Sequence, residues 1–128
     1  MAFSILKNEK LKSKKQIERL FVDGKSISNY PLKLIYQKVD SLGENDSKVA
    51  FIVPKKNFGG AVHRNRIKRL LREGYRLNKH LIFNNIEGKF TFAIIYIGND
   101  MPNYRKIEEN IQGLFNKFIK NTTHEKME

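Results

Sequence analysis

Apolar residues recur along the chain in two rhythms, and the changes between them mark out the elements. Ile17, Leu20 and Phe21 fall at i, i+3 and i+4, a short helical stripe. Ser13 followed three residues later by Gln16 forms a capping box, and Gly24 is a C-terminal stop, so the spacing predicts a helix over 14–23 after a charged, extended segment at 1–12. From Tyr30 to Val39 the rhythm shortens to two: Leu32, Leu34 and Tyr36 share one side, and Lys33, Ile35 and Gln37 share a more polar one. A turn cluster over 40–47, with Gly43, Asn45 and Asp46, leads to a second strand at 49–53, which predicts an antiparallel hairpin. Pro54 ends that strand because it has no amide to donate.

Helical spacing returns with Ile67, Leu70, Leu71, Gly74 and Leu81, predicting a long helix near 61–80 in which Gly74 permits close approach to a sheet. After turn residues Asn84, Asn85 and Gly88, the run from Phe90 to Ile97 is almost wholly apolar and suits a buried central strand. Ile107, Ile111, Leu114, Phe115 and Phe118 predict a last helix at about 104–120, and a polar, flexible tail follows over 121–128. No repeat or interdomain linker interrupts this order, so 128 residues are expected to form a single small domain.

Composition adds a sign to this outline. Lys and Arg number 25 against 13 Asp and Glu, a net charge of +12, which calls for a polyanionic partner. The absence of cysteine excludes a disulfide framework and thiolate metal sites, and no apolar run approaches the roughly 20 residues of a membrane span. A cytoplasmic location is expected.

The charge is concentrated. Between Lys55 and Lys79 stand nine Lys or Arg and one acid, Glu73. With the helical rotation set to zero at Ile67, Lys68, Lys79, Arg72, Asn65, Arg76 and Arg69 fall between about 100° and 200°, away from the apolar stripe. A merely solvated face mixes signs at i, i+4. This one stacks like charges, at roughly 0.2–0.5 kcal/mol per pair unless a polyanion compensates.

The stretch Lys55-Lys56-Asn57-Phe58-Gly59-Gly60-Ala61-Val62-His63-Arg64-Asn65-Arg66-Ile67-Lys68-Arg69-Leu70-Leu71-Arg72-Glu73 closely resembles the signature of the bacterial ribonuclease P protein subunit family, a G-x-A-V-x-R-N-R-x-K-R run ending in R-E. Phe3-Ser4, Lys10-Leu11 and Phe21-Val22-Asp23-Gly24-Lys25-Ser26 resemble the family's opening pattern. The resemblance implies an α+β fold, an α/β sandwich of αβββαβα order with a left-handed βαβ crossover, ribosomal-protein-like.

It also implies two sites. Arg64, Asn65, Arg66, Lys68, Arg69, Arg72 and Arg76, flanked by Lys55, Lys56 and His63, would meet the catalytic RNA. Ile17 and Phe21 from the first helix, with Lys33 and Ile35 from the first strand, would hold the single-stranded 5′ leader of precursor tRNA. The implied partners are that RNA and precursor tRNA, in a 1:1 complex with a monomeric protein and no membrane. Mg2+ would serve the holoenzyme from sites on the RNA, with none tightly bound to the protein, and the catalytic groups would belong to the RNA. The chain departs from the commoner pattern in having Ile17 and Ile35 where aromatics are frequent, a loop from Lys55 to Gly60 one residue longer, and Gly60 in place of asparagine.

Other readings fare worse. Protein-based nuclease chemistry needs gathered carboxylates or paired histidines, whereas Glu44, Asp46, Glu108 and Glu109 are dispersed, as are His63, His80 and His124. A ribosomal or general RNA-binding protein shares the charge and size and is the nearest alternative. A membrane-surface role is weaker, because the apolar face of the basic helix matches a packed core.

Overall fold

The amide of Gln16 donates to Ser13 Oγ at 3.3 Å, and the first helix, α1 (Lys14–Asp23), starts there. This computed structural model describes residues 10–39, 47–84 and 88–127, with side chains to residue 123. After α1 come β1 (Lys25–Asn29), β2 (Leu32–Val39), β3 (Lys48–Ile52), α2 (Ala61–Phe83), β4 (Lys89–Tyr96) and α3 (Tyr104–Met127), the αβββαβα order of an α+β fold. The start of the expected N-terminal segment, most of the turn over 40–47 with Glu44 and Asp46, and Asn85 lie outside the described residues.

The sheet order is β1-β2-β4-β3. β2 pairs antiparallel with β1 and with β4, and β3 pairs parallel with β4. The expected hairpin between 30–39 and 49–53 is therefore not formed. Period-two alternation identifies a strand without naming its partner, and β4, apolar on both faces, takes the place between the two. The hairpin partner of β2 is instead β1, across a tight turn at Tyr30-Pro31, whose peptide bond is cis. α2 supplies the long crossover that the parallel β3–β4 pair requires. On the outer edge of β3, Leu11 N donates to Val49 O at 2.9 Å, so residues 10–12 run extended beside that strand.

Three layers result. On one face of the sheet Leu32, Leu34, Tyr36, Phe92 and Ile94 meet Ile67, Leu71 and Tyr75 of α2 and Ile111, Leu114, Phe115 and Phe118 of α3. On the other, Ile35, Ala93 and Ile95 lie beneath Leu20 of α1 and Leu11. β4 is buried on both sides, as its unbroken apolar run predicts.

Gly74 faces α3 rather than the sheet: a Cβ there would meet Ile111 Cδ1 at 2.5 Å and Ile107 Cγ2 at 3.4 Å. The helix–helix seam also buries Asn78, whose Nδ2 donates to Gly74 O at 2.8 Å and whose Oδ1 accepts from Gln112 Nε2 at 3.0 Å. Both long helices outrun their expected ends. α2 reaches Phe83 rather than 80, and α3 continues through Met127, past the boundary at Asn121, with no Gly or Pro to stop it.

Candidate nucleic-acid interface

With Ile67, Leu71, Gly74 and Tyr75 of α2 turned inward, the opposite face carries the charge. Asn65, Arg66, Arg69 and Arg72 are exposed, and Lys68 is half-buried. Among the described residues the salt bridges are Arg76 with Glu73 and Arg105 with Glu109, so Arg66, Lys68, Arg69 and Arg72 stand without an acidic partner there. Crowded like charges with no acidic partner among the described residues favour an external polyanion, and arginine's planar fork suits phosphate oxygens. His63 is exposed on the first turn.

Two residues expected on this face are engaged within the protein. Arg76 Nε donates to Glu73 Oε2 at 3.1 Å and its Nη2 bonds the other carboxylate oxygen, which holds the Glu73 carboxyl below its ordinary value. The i, i+3 pair cancels charge at that end of the helix. Arg64 Nη1 donates to Phe58 O at 2.8 Å and Gly59 O at 2.7 Å, tying the helix to the loop before it. That loop is also anchored by the Phe58 ring, 5.9 Å from the Tyr96 ring, and by Asn57 Nδ2, which reaches Gly98 O at 3.4 Å.

Beside the loop lies an open groove of about 700 Å³. It is lined by Phe21 and Gly24 at the end of α1, by Ser26 of β1, by Lys33 and Ile35 of β2, by Ile95 of β4, and by Pro54, Lys56, Asn57, Ile97 and Asn99 from the flanking loops. Three of the four residues expected at the leader site are thus together: Phe21, Lys33 and Ile35. Ile17, half-buried, packs against the small core under α1 and is not in the wall. Adjacent positions on α1 divide the labour, since Leu20 is fully buried whereas Phe21 is 48% exposed. Lys56, expected beside the basic helix, lines the groove, while Lys55 is exposed outside its wall.

The remaining acids take local roles. Tyr104 Oη donates to Glu108 Oε2 at 3.0 Å, and Glu109 pairs with Arg105 at 3.6 Å. Among the described residues no three His, Asp or Glu side chains gather to hold a metal ion, and no helix is long and apolar enough to cross a membrane. The side chain of His124 lies outside those described.

A family model described as Ribonuclease P matches residues 5–119. The chain belongs to the ribonuclease P protein family. The ribonuclease P protein component of Porphyromonas gingivalis is 35% identical over 113 residues, which covers 86% of this chain and 82% of that protein. That of Chlorobium phaeobacteroides is 39% identical over 124 residues, covering 87% and 85%. Among solved structures, the RNase P protein from Thermotoga maritima superposes with a TM-score of 0.67 at 24% identity, over 85% of this chain and 96% of that one. The Staphylococcus aureus RNase P protein gives 0.68 at 22% identity, over 84% and 93%. These likenesses establish the ribonuclease P protein fold for the α+β sandwich seen here.

Within that family fold, sequence reasoning missed Ser26, Asn57 and Asn99 in the groove. Ser26 belongs to a strand with one buried residue, Ile27, too faint a pattern to mark. Asn57 and Asn99 read as turn formers, and nothing in their spacing tells that the two loops flank one groove.

Proposed function

We propose that this protein is the RNA-binding subunit of a ribonuclease P ribonucleoprotein. Its basic α2 face docks on the catalytic RNA, and its groove holds the 5′ leader of precursor tRNA. The observation that carries this reading is the face of Arg66, Lys68, Arg69 and Arg72, uncompensated among the described residues, on the helix that bears the family signature. Docking there releases counterions from the RNA, so affinity depends steeply on salt.

The groove has the chemistry of a single-strand site. Lys33 and Lys56 offer cations to backbone phosphates, while Phe21, Ile35, Ile95 and Ile97 offer apolar surface to base faces. Such a surface tolerates many sequences because every base has a π-face. Ser26, Asn57 and Asn99 add neutral hydrogen-bonding groups.

On this reading hydrolysis belongs to the RNA and the magnesium ions it holds. The protein anchors the leader, offsets phosphate charge where RNA and substrate meet, and so lowers the magnesium requirement for endonucleolytic release of the mature 5′ end. One protein serves one RNA. The test is binding of leader-bearing precursor and mature tRNA to the assembled holoenzyme. The leader-bearing form should bind more tightly, and equal affinities would shift weight to a general RNA-binding role.

A further inference from the structure

Arg64 belongs to the signature run, yet one nitrogen of its guanidinium is committed to the protein's own backbone. Nη1 donates to both Phe58 O and Gly59 O. The segment it holds ends in two adjoining glycines, Gly59 and Gly60, and a Cβ at Gly59 would have nothing within 4 Å. A glycine with open space around it leaves the backbone many conformations. The other anchors lie earlier in the loop: Asn57 N and Phe58 N donate to Pro54 O at 3.2 and 3.4 Å, Asn57 Nδ2 reaches Gly98 O at 3.4 Å, and Phe58 packs against the main core. The bonds from Arg64, at 2.8 and 2.7 Å, are shorter and tie the loop's end to α2. The same loop carries Lys56 and Asn57 into the groove wall.

We propose that Arg64 is a positioning residue for the groove, clamping the 55–60 loop so that Lys56 and Asn57 face the leader, and is not itself a ligand of the catalytic RNA. The inference rests on the reading of the groove given above. One nitrogen bridging two successive carbonyls while its charge stays on a rigid fork suits arginine; the flexible ammonium of lysine is less pre-organised for it.

The test uses Arg64→Gln. Amide exchange of the 55–60 loop in the free protein should quicken, and the holoenzyme's preference for leader-bearing over mature tRNA should fall by on the order of tenfold. Because Arg64 acts through Lys56 and Asn57, adding Arg64→Gln to the pair Lys56→Ala and Asn57→Ala should lower that preference by less than about twofold more. The salt slope for binding the catalytic RNA should not change. Unchanged loop exchange, an additive effect in the combined variant, or a slope reduced by about 0.7–0.9 would each overturn the assignment, the last by showing a direct phosphate contact. Phe21→Ala separates this inference from the reading beneath it. If that variant leaves the leader preference intact, the groove reading fails. If it lowers the preference and Arg64→Gln does not, the Arg64 assignment alone fails.

Discussion

Gly24 and Ile35 touch where the end of α1 meets β2: a Cβ on Gly24 would lie 2.8 Å from Ile35 Cγ2 and 3.0 Å from Tyr36 O, and closer still to Leu20 O of α1 itself. The backbone of residue 24 is extended, with φ −75° and ψ 159°, so lack of space and not dihedral freedom calls for glycine. The contact sets how closely α1 lies on the sheet, and with it where Phe21 stands over the groove. Gly24→Ala should therefore destabilise the fold by about 1–3 kcal/mol through overpacking against backbone. It should also weaken leader preference by moving Phe21. A denaturation midpoint and the precursor-to-mature affinity ratio would show both, and an unshifted midpoint would refute the steric account.

Phe21 offers a cleaner handle because it is half exposed and lines the groove. Phe21→Ala should leave stability nearly unchanged while weakening leader-bearing precursor relative to mature tRNA by about 1–3 kcal/mol if the ring stacks on a base. Equal loss for the two substrates would contradict this role.

The α2 face makes a prediction in salt. Removing two exposed arginines together, Arg69→Ala and Arg72→Ala, should weaken binding to the catalytic RNA and flatten the slope of log affinity against log salt by about two. An unchanged slope would mean that the RNA docks elsewhere.

Alkaline pH addresses the α2–α3 seam. Burial, the hydrogen bond to Glu108 and the negative charges of Glu108 and Glu73 push the Tyr104 phenol up to about 12, whereas an unfolded tyrosine ionises near 10. The unfolded chain then loses its proton first as pH rises, so this contribution is whole below about pH 10 and is lost between about 10 and 12. Tyr104→Phe has no such proton. The stability difference between the two proteins should shrink across that window, and a constant difference would refute the proposed coupling.

Much of this was readable from the chain. Ser13, Gln16 and Gly24 mark both ends of α1 through local hydrogen bonding and space, and the apolar run of β4 announces a strand covered on both faces. Partner choice was not readable. Strand β1 buries only Ile27, and the alternation of β2 is equally consistent with any antiparallel neighbour. Gly74 gave the fact of a close approach without the identity of the surface, which proved to be Ile111 of α3. At the site, the basic face follows from helical geometry alone. That Arg64 turns to the loop, that Ile17 packs under α1 while Phe21 stands free, and that Lys56 joins the groove all depend on contacts between distant segments.

The central claim is tested most directly by cleavage of a 5′-leader precursor tRNA at low magnesium, with a bacterial ribonuclease P RNA known to be active at high magnesium, in the presence and absence of this protein. The account predicts protein-dependent cleavage at the mature 5′ end. No stimulation despite tight RNA binding would contradict it.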